Sequence, residues 1–156
     1  MARDLLTREP IAEFGEFRAY LRSERQEMVF EAFRESDGRA WLLRVPLAAR
    51  AAMAGLLREA AALLADERSS AADPGILRQV TLGPKDALAA VLLEEGQDRA
   101  FALWRREQLR SGWEWTIDVV VVPLELADRV CGLMRQVIER TGTTPAAVPN
   151  MAPVLR

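Results

Sequence analysis

The residues in this 156-residue chain that could do chemistry are its tryptophans and its arginines, and they interleave. Trp104 stands two places from Arg106, and Gly112-Trp113-Glu114-Trp115 follows shortly after Arg110. An indole offers a flat face for stacking, while a guanidinium can fork onto phosphate or lie on a ring. A protein that binds a single strand of nucleic acid needs both, with faces for the bases and cations along the backbone. On that chemistry the candidate residues are Tyr20, Arg22, Arg34, Arg44, Trp104, Arg106, Arg110, Trp113 and Trp115. Phe30, Trp41 and Phe101 are further aromatic candidates.

Each has a plainer role. An aromatic on a strand usually packs in the core, and an arginine near a glutamate, as Arg105, Arg106 and Arg110 are near Glu107, usually joins a surface ion pair. Trp113 and Trp115 differ, because they flank a glycine-bearing loop where exposure invites a binding role.

Other chemistries find little material. The chain has no histidine, which removes Ser-His and Cys-His pairs and histidine metal sites. Its one cysteine, Cys131, falls on or beside an apolar helical stripe, where a buried thiol is expected. Glu94-Glu95 lies at a turn, and Gly83-Pro84-Lys85 is a turn without a phosphate-cradling pattern. The expectation is binding without catalysis, with no catalytic residues, no metal and no cofactor.

Composition limits what can be bound. With 21 basic and 23 acidic residues the net charge is −2, so nucleic-acid binding would need a local patch. Only Lys85 among the basic residues is a lysine. The first ten residues mix Arg, Asp and Glu and carry no secretory pattern. Apolar stretches are too short to span a bilayer, so a cytoplasmic protein without membrane contact is expected.

The elements that must position these residues come in two sets. Val45-Pro46-Leu47 recurs as Val122-Pro123-Leu124, 77 positions on. The same offset carries Gly55 onto Gly132, Leu56 onto Leu133 and Arg58 onto Arg135. Met53, Leu56, Leu57, Ala60, Leu63 and Leu64 form one helical stripe, and Val130, Leu133, Met134, Val137 and Ile138 another. Gly142 is placed for a C-terminal cap, and Gly55 and Gly132 suggest close packing of each helix on a strand. Alternation predicts strands over 14–22, 27–35 and 39–45, then 87–94, 99–108 and 114–122, with another at 76–82. Ser36-Asp37-Gly38 and Glu95-Gly96-Gln97-Asp98 are the hairpin turns. Trp104 and Arg106 then share a face opposite Phe101, Leu103 and Arg105. Phe30, Ala32 and Arg34 share another, and Trp41 lies with Leu43 and Val45, opposite Arg44.

The fold class is therefore α+β, two tandem β-β-β-(β)-α repeats forming an intramolecular pseudo-dimer. The repeats occupy residues 1–68 and 76–142, with a linker at 69–75, an extended or disordered tail at 143–156 and one shared core.

This layout resembles the PUR-domain and Whirly-like single-stranded nucleic-acid-binding proteins, in which a meander and a helix occur twice and embrace. The likeness is strongest over 87–141. It runs through Ala87 to Glu94, Phe101-Ala102-Leu103-Trp104-Arg105-Arg106-Glu107, the Gly112 to Trp115 turn, and Val119 to Val122 with its helix. The resemblance implies binding of single-stranded DNA or RNA by stacking and arginine–phosphate contacts. The alternative is a protein-interaction or dimerisation module of the same fold, with a protein partner or a homodimer and the tryptophans as anchors.

Overall fold

Alternating buried and exposed residues build eight strands, and two apolar stripes build two helices. The computed structural model describes residues 3–11, 13–67, 75–95, 98–108 and 115–143. Strands β1 (Arg3–Ile11), β2 (Gly15–Arg22), β3 (Glu27–Arg34) and β4 (Ala40–Pro46) lead through a 3₁₀ turn to helix α1 (Arg50–Glu67). Strands β5 (Gly75–Gly83), β6 (Asp86–Glu95), β7 (Asp98–Gln108) and β8 (Trp115–Pro123) lead through another to helix α2 (Ala127–Thr143). The protein is α+β, with one antiparallel sheet ordered β1-β2-β3-β4-β8-β7-β6-β5.

Pro46 and Pro123 close β4 and β8, each just before its 3₁₀ turn, with φ of −59° and −56°. The ring fixes φ near these values and donates no ladder bond, so the strand stops there. Both edge strands shift register at the corresponding place, between Leu5 and Thr7 in β1 and between Ile76 and Arg78 in β5.

One face of the sheet is apolar. Ala19, Phe30 and Leu43 lie opposite one another across β2, β3 and β4, with Phe17 opposite Ala32 and Met28 opposite Val45, and all are fully buried. Leu92, Phe101 and Val122, and Leu103 and Val120, do the same across β6, β7 and β8. Burying a side chain of this size contributes about 1.5–3 kcal/mol.

The helices lie on this face, and each reaches the other set of strands. From α1, Glu59 meets Arg78 of β5 at 3.0 Å. From α2, Thr141 sits with its hydroxyl 3.9 Å from the sulfur of Met28 in β3. Arg129 donates to the Pro10 carbonyl at 3.1 Å, and Arg140 donates to that of Leu6. One cluster joins Phe17, Phe30, Met53, Leu57, Leu103 and Met134.

Three expectations change. Residues 3–11 form a strand that alternation did not signal, since they carry Arg, Asp, Glu and Pro; as an edge strand β1 needs only one partner and tolerates Pro10. Helix α2 continues to Thr143, which puts Gly142 in its last turn instead of at a cap. Close packing on a strand does not explain Gly55 and Gly132. A Cβ at Gly132 would meet nothing within 4 Å, and one at Gly55 only the Arg58 Nη2 at 3.8 Å.

The glycine that does need to be glycine is Gly15, where a Cβ would collide with the Phe33 carbonyl oxygen. Two substitutions should therefore move stability in opposite directions in urea unfolding. Gly132→Ala should stabilise by about 0.5–1 kcal/mol, the usual gain within a helix. Gly15→Ala should destabilise by at least about 2 kcal/mol, because backbone must move to admit it.

Candidate functional site

The face away from the helices is continuous across all eight strands. Its central row, read by register, is Arg8, Arg18, Glu31, Leu42, Val119, Trp104, Ala89 and Gln79. The next row across β2, β3 and β4 is Tyr20, Val29 and Arg44. Arg22 lies two residues along from Tyr20 and Arg106 two from Trp104, so alternation keeps both on this face. Five of the sequence-predicted residues, Tyr20, Arg22, Arg44, Trp104 and Arg106, thus share one surface.

They are not equivalent there. Trp104 is half-buried, and the exposed Arg106 lies over its ring at 5.2 Å. Tyr20, expected as a contact residue, is buried, so its ring is not open to a base. Its hydroxyl donates to Glu31 at 2.9 Å, and Arg18 reaches the same carboxylate at 3.2 Å. Together with the exposed Leu5 they line a shallow cavity of about 390 Å³. Arg22 pairs with Glu27 at 3.3 Å.

Arg44 is held at the joint between the two sets of strands. Among the described residues Leu42 and Val119 are the one registered pair between β4 and β8. Beside it the Arg44 guanidinium takes Asp118 through two bonds of 2.9 Å, and its backbone N–H donates to the same carboxylate at 3.2 Å. This hydrogen bonding raises the Arg44 pKa further. Arg105 adds a second fork, onto Asp86 at 2.9 and 3.1 Å, and donates to the Arg44 carbonyl at 3.0 Å. Burial works to lower the Arg105 pKa, but Asp86 and neighbouring carboxylates outweigh it and raise it. Arg25, Glu27 and Glu107 complete a polar cleft of about 210 Å³.

Arg34 is on the opposite face. It forks onto Asp37 at 2.7 and 3.1 Å, holding that carboxyl down at about 2, and its guanidinium lies 5.0 Å from the Trp41 ring centre. Phe30, Trp41 and Phe101 are core residues, with Trp41 stacked on Phe14. Arg110 and Trp113 lie outside the described residues, as does the side chain of Trp115, whose backbone begins β8 opposite Gln108. Cys131 is buried, and burial, with Asp128 assisting, pushes its thiol up to about 12.

Sequence reasoning missed Asp86, Asp118, Glu31 and Leu42. Asp118 had a signal: it is a lone acid beside the Val119–Val122 run, and an acid in so apolar a strand requires a partner. Which arginine would supply it depends on register across 74 residues of separation, which local spacing does not encode. No protein-family model matches the chain, and no curated protein matches it.

Removing the Asp118 carboxylate leaves the Arg44 guanidinium and N–H without their acceptor. Asp118→Ala should cost about 1–3 kcal/mol in chemical denaturation and Asp118→Asn less, since the amide keeps one acceptor. Cys131 should stay unreacted with a thiol-specific disulfide reagent at pH 8 in the native protein and react at once in denaturant.

Proposed function

We propose that this protein is a binding module that takes single-stranded nucleic acid on its helix-free sheet face. The observation that carries the reading is the convergence of Tyr20, Arg22, Arg44, Trp104 and Arg106 on that face. Trp104, with the Arg106 guanidinium lying over its ring, pairs an aromatic face with a cation that a stacking base would have to move aside, and single strands use that pair of groups. Bases would stack at Trp104, with Arg110, Trp113 and Trp115 proposed as further contacts. Arg22 and Arg44 would serve the backbone, with Arg34 left on the other side of the sheet. Stacking with phosphate contacts discriminates weakly among sequences, so the module would read single-strandedness more than base identity.

The same proposal includes an intramolecular pseudo-dimer of the two four-strand-and-helix repeats. The repeated element order, the matched register shifts in the edge strands and the exchange of helices support it. The PUR/Whirly-like resemblance and a cytoplasmic, non-catalytic role belong to this reading too.

A second reading is favoured by one observation. Arg18, Arg22 and Arg44 each meet a carboxylate on or beside the face, so an approaching phosphate finds Glu31, Glu27 and Asp118 as well. A surface of alternating charge around the exposed Leu42 would suit a protein partner or a second copy of the chain.

Salt separates the two. Tryptophan fluorescence titrated with a mixed-sequence single-stranded oligonucleotide at low salt should quench and saturate. Affinity should fall steeply as salt rises, and Trp104→Ala should lose about 1–3 kcal/mol of binding. A flat titration at low salt overturns the nucleic-acid reading. Self-association by sedimentation, reduced by Leu42→Glu, would then support the second.

A further inference from the structure

The other side of the molecule has a feature that the sheet face does not explain. Helices α1 and α2 pack side by side, and between them runs a groove of about 360 Å³. Arg58 of α1 and Arg135 of α2 line it, together with Ala54, Gly132, Gln136 and Glu139. Six arginines elsewhere, Arg8, Arg18, Arg22, Arg44, Arg78 and Arg105, each meet a carboxylate. Neither Arg58 nor Arg135 has an ion pair among the described residues.

The Nε of Arg135 is moreover buried with no hydrogen-bond partner. A buried N–H on a charged group without an acceptor is costly and calls for a reason, of which an absent ion is one. Gly132 lines the groove, and a Cβ there would meet no described residue within 4 Å. At the equivalent place on α1 the Arg58 guanidinium lies 3.8 Å from where a Gly55 Cβ would stand. Glycine inside a helix is costly relative to alanine, and no close strand contact among the described residues explains it here.

We propose that the α1–α2 groove is a binding site for a phosphate-type oxyanion, held between Arg58 and Arg135. Two guanidiniums offer two forks and two positive charges. A carboxylate is satisfied by one fork, whereas a phosphate dianion has the charge and the terminal oxygens to take both. Gln136 can donate from its amide, and Glu139 at the rim contributes the opposing charge, which limits how tightly the groove holds an anion. The site is separate from the helix-free face and does not rest on nucleic-acid binding there.

The test is thermal unfolding of the full chain in inorganic phosphate against sodium chloride of matched ionic strength. Phosphate should raise Tm in a saturating manner beyond the chloride control. Arg58→Gln, at an exposed position, should weaken the apparent Kd about tenfold or more, and Glu139→Gln should tighten it. Arg135→Gln should remove the response; because it also removes a partly buried side chain, Arg58→Gln is the deciding variant. A parallel titration with phenyl phosphate separates free phosphate from a phosphomonoester, and binding of either supports the site. Equal Tm in phosphate and chloride, or an undiminished phosphate response in Arg58→Gln, would overturn it.

Discussion

Between β4 and β8 the eight-stranded sheet is continuous through a single registered pair, Leu42 and Val119, and the shape of the molecule hangs on that joint. A ladder this short supplies few backbone bonds, so something else must fix the angle and register of the two sets of strands. The Asp118 carboxylate does part of this by accepting three bonds from Arg44, one from the backbone N–H that the ladder would otherwise satisfy. Arg105 ties the same point to Asp86 and to the Arg44 carbonyl. A slip of one residue here would turn Leu42 and Trp104 to opposite faces. The charged pairs specify the arrangement, and the burial beneath them supplies most of the stability. That division suits half-buried ion pairs, whose attraction is largely offset by desolvation.

Helix exchange complements the joint. Because α1 lies on β5 and α2 reaches β1 and β3, neither set of strands can bury its apolar face with its own helix alone. With both helices committed to one face, no helix among the described residues covers the opposite one, where Leu42 and Arg106 are exposed while Val29 and Ala89 are buried.

Local patterns in the sequence carried much of this. The Val119–Val122 run, the turn at Ser36-Asp37-Gly38 and the two apolar stripes correspond to β8, the β3–β4 turn and the helices. Alternation also placed Trp104 with Arg106 and Trp41 opposite Arg44, since both follow from a period of two. It did not find β1, because an edge strand is shaped by one neighbour and Arg3–Ile11 carries its charges without a clean period. Nor did it find the carboxylate partners of the arginines. Arg44 and Asp118, or Arg18 and Glu31, meet only once distant strands are in register, and that information is not local. The purpose of Gly55 and Gly132 was likewise hidden, since a glycine in a helix reads the same whether a strand or an open groove lies above it.

The two ends of the helix-free face differ in a way that bears on any ligand it takes. Outward from Leu42 the central row passes through Glu31, Arg18 and Arg8; outward from Val119 it passes through Trp104, Ala89 and Gln79. One end is a lattice of opposite charges, the other small and apolar around one indole. A base placed on Trp104 must share that ring with Arg106 or displace it. A phosphate placed on the charged end must instead displace Glu31 or Glu27 from Arg18 or Arg22. Stacking is short-ranged and little affected by salt, whereas an ion-paired arginine recovers only part of its charge for a new partner. Under the proposed single-strand reading, the charged end would have to exchange its carboxylates for phosphates, and that exchange is the step that salt opposes.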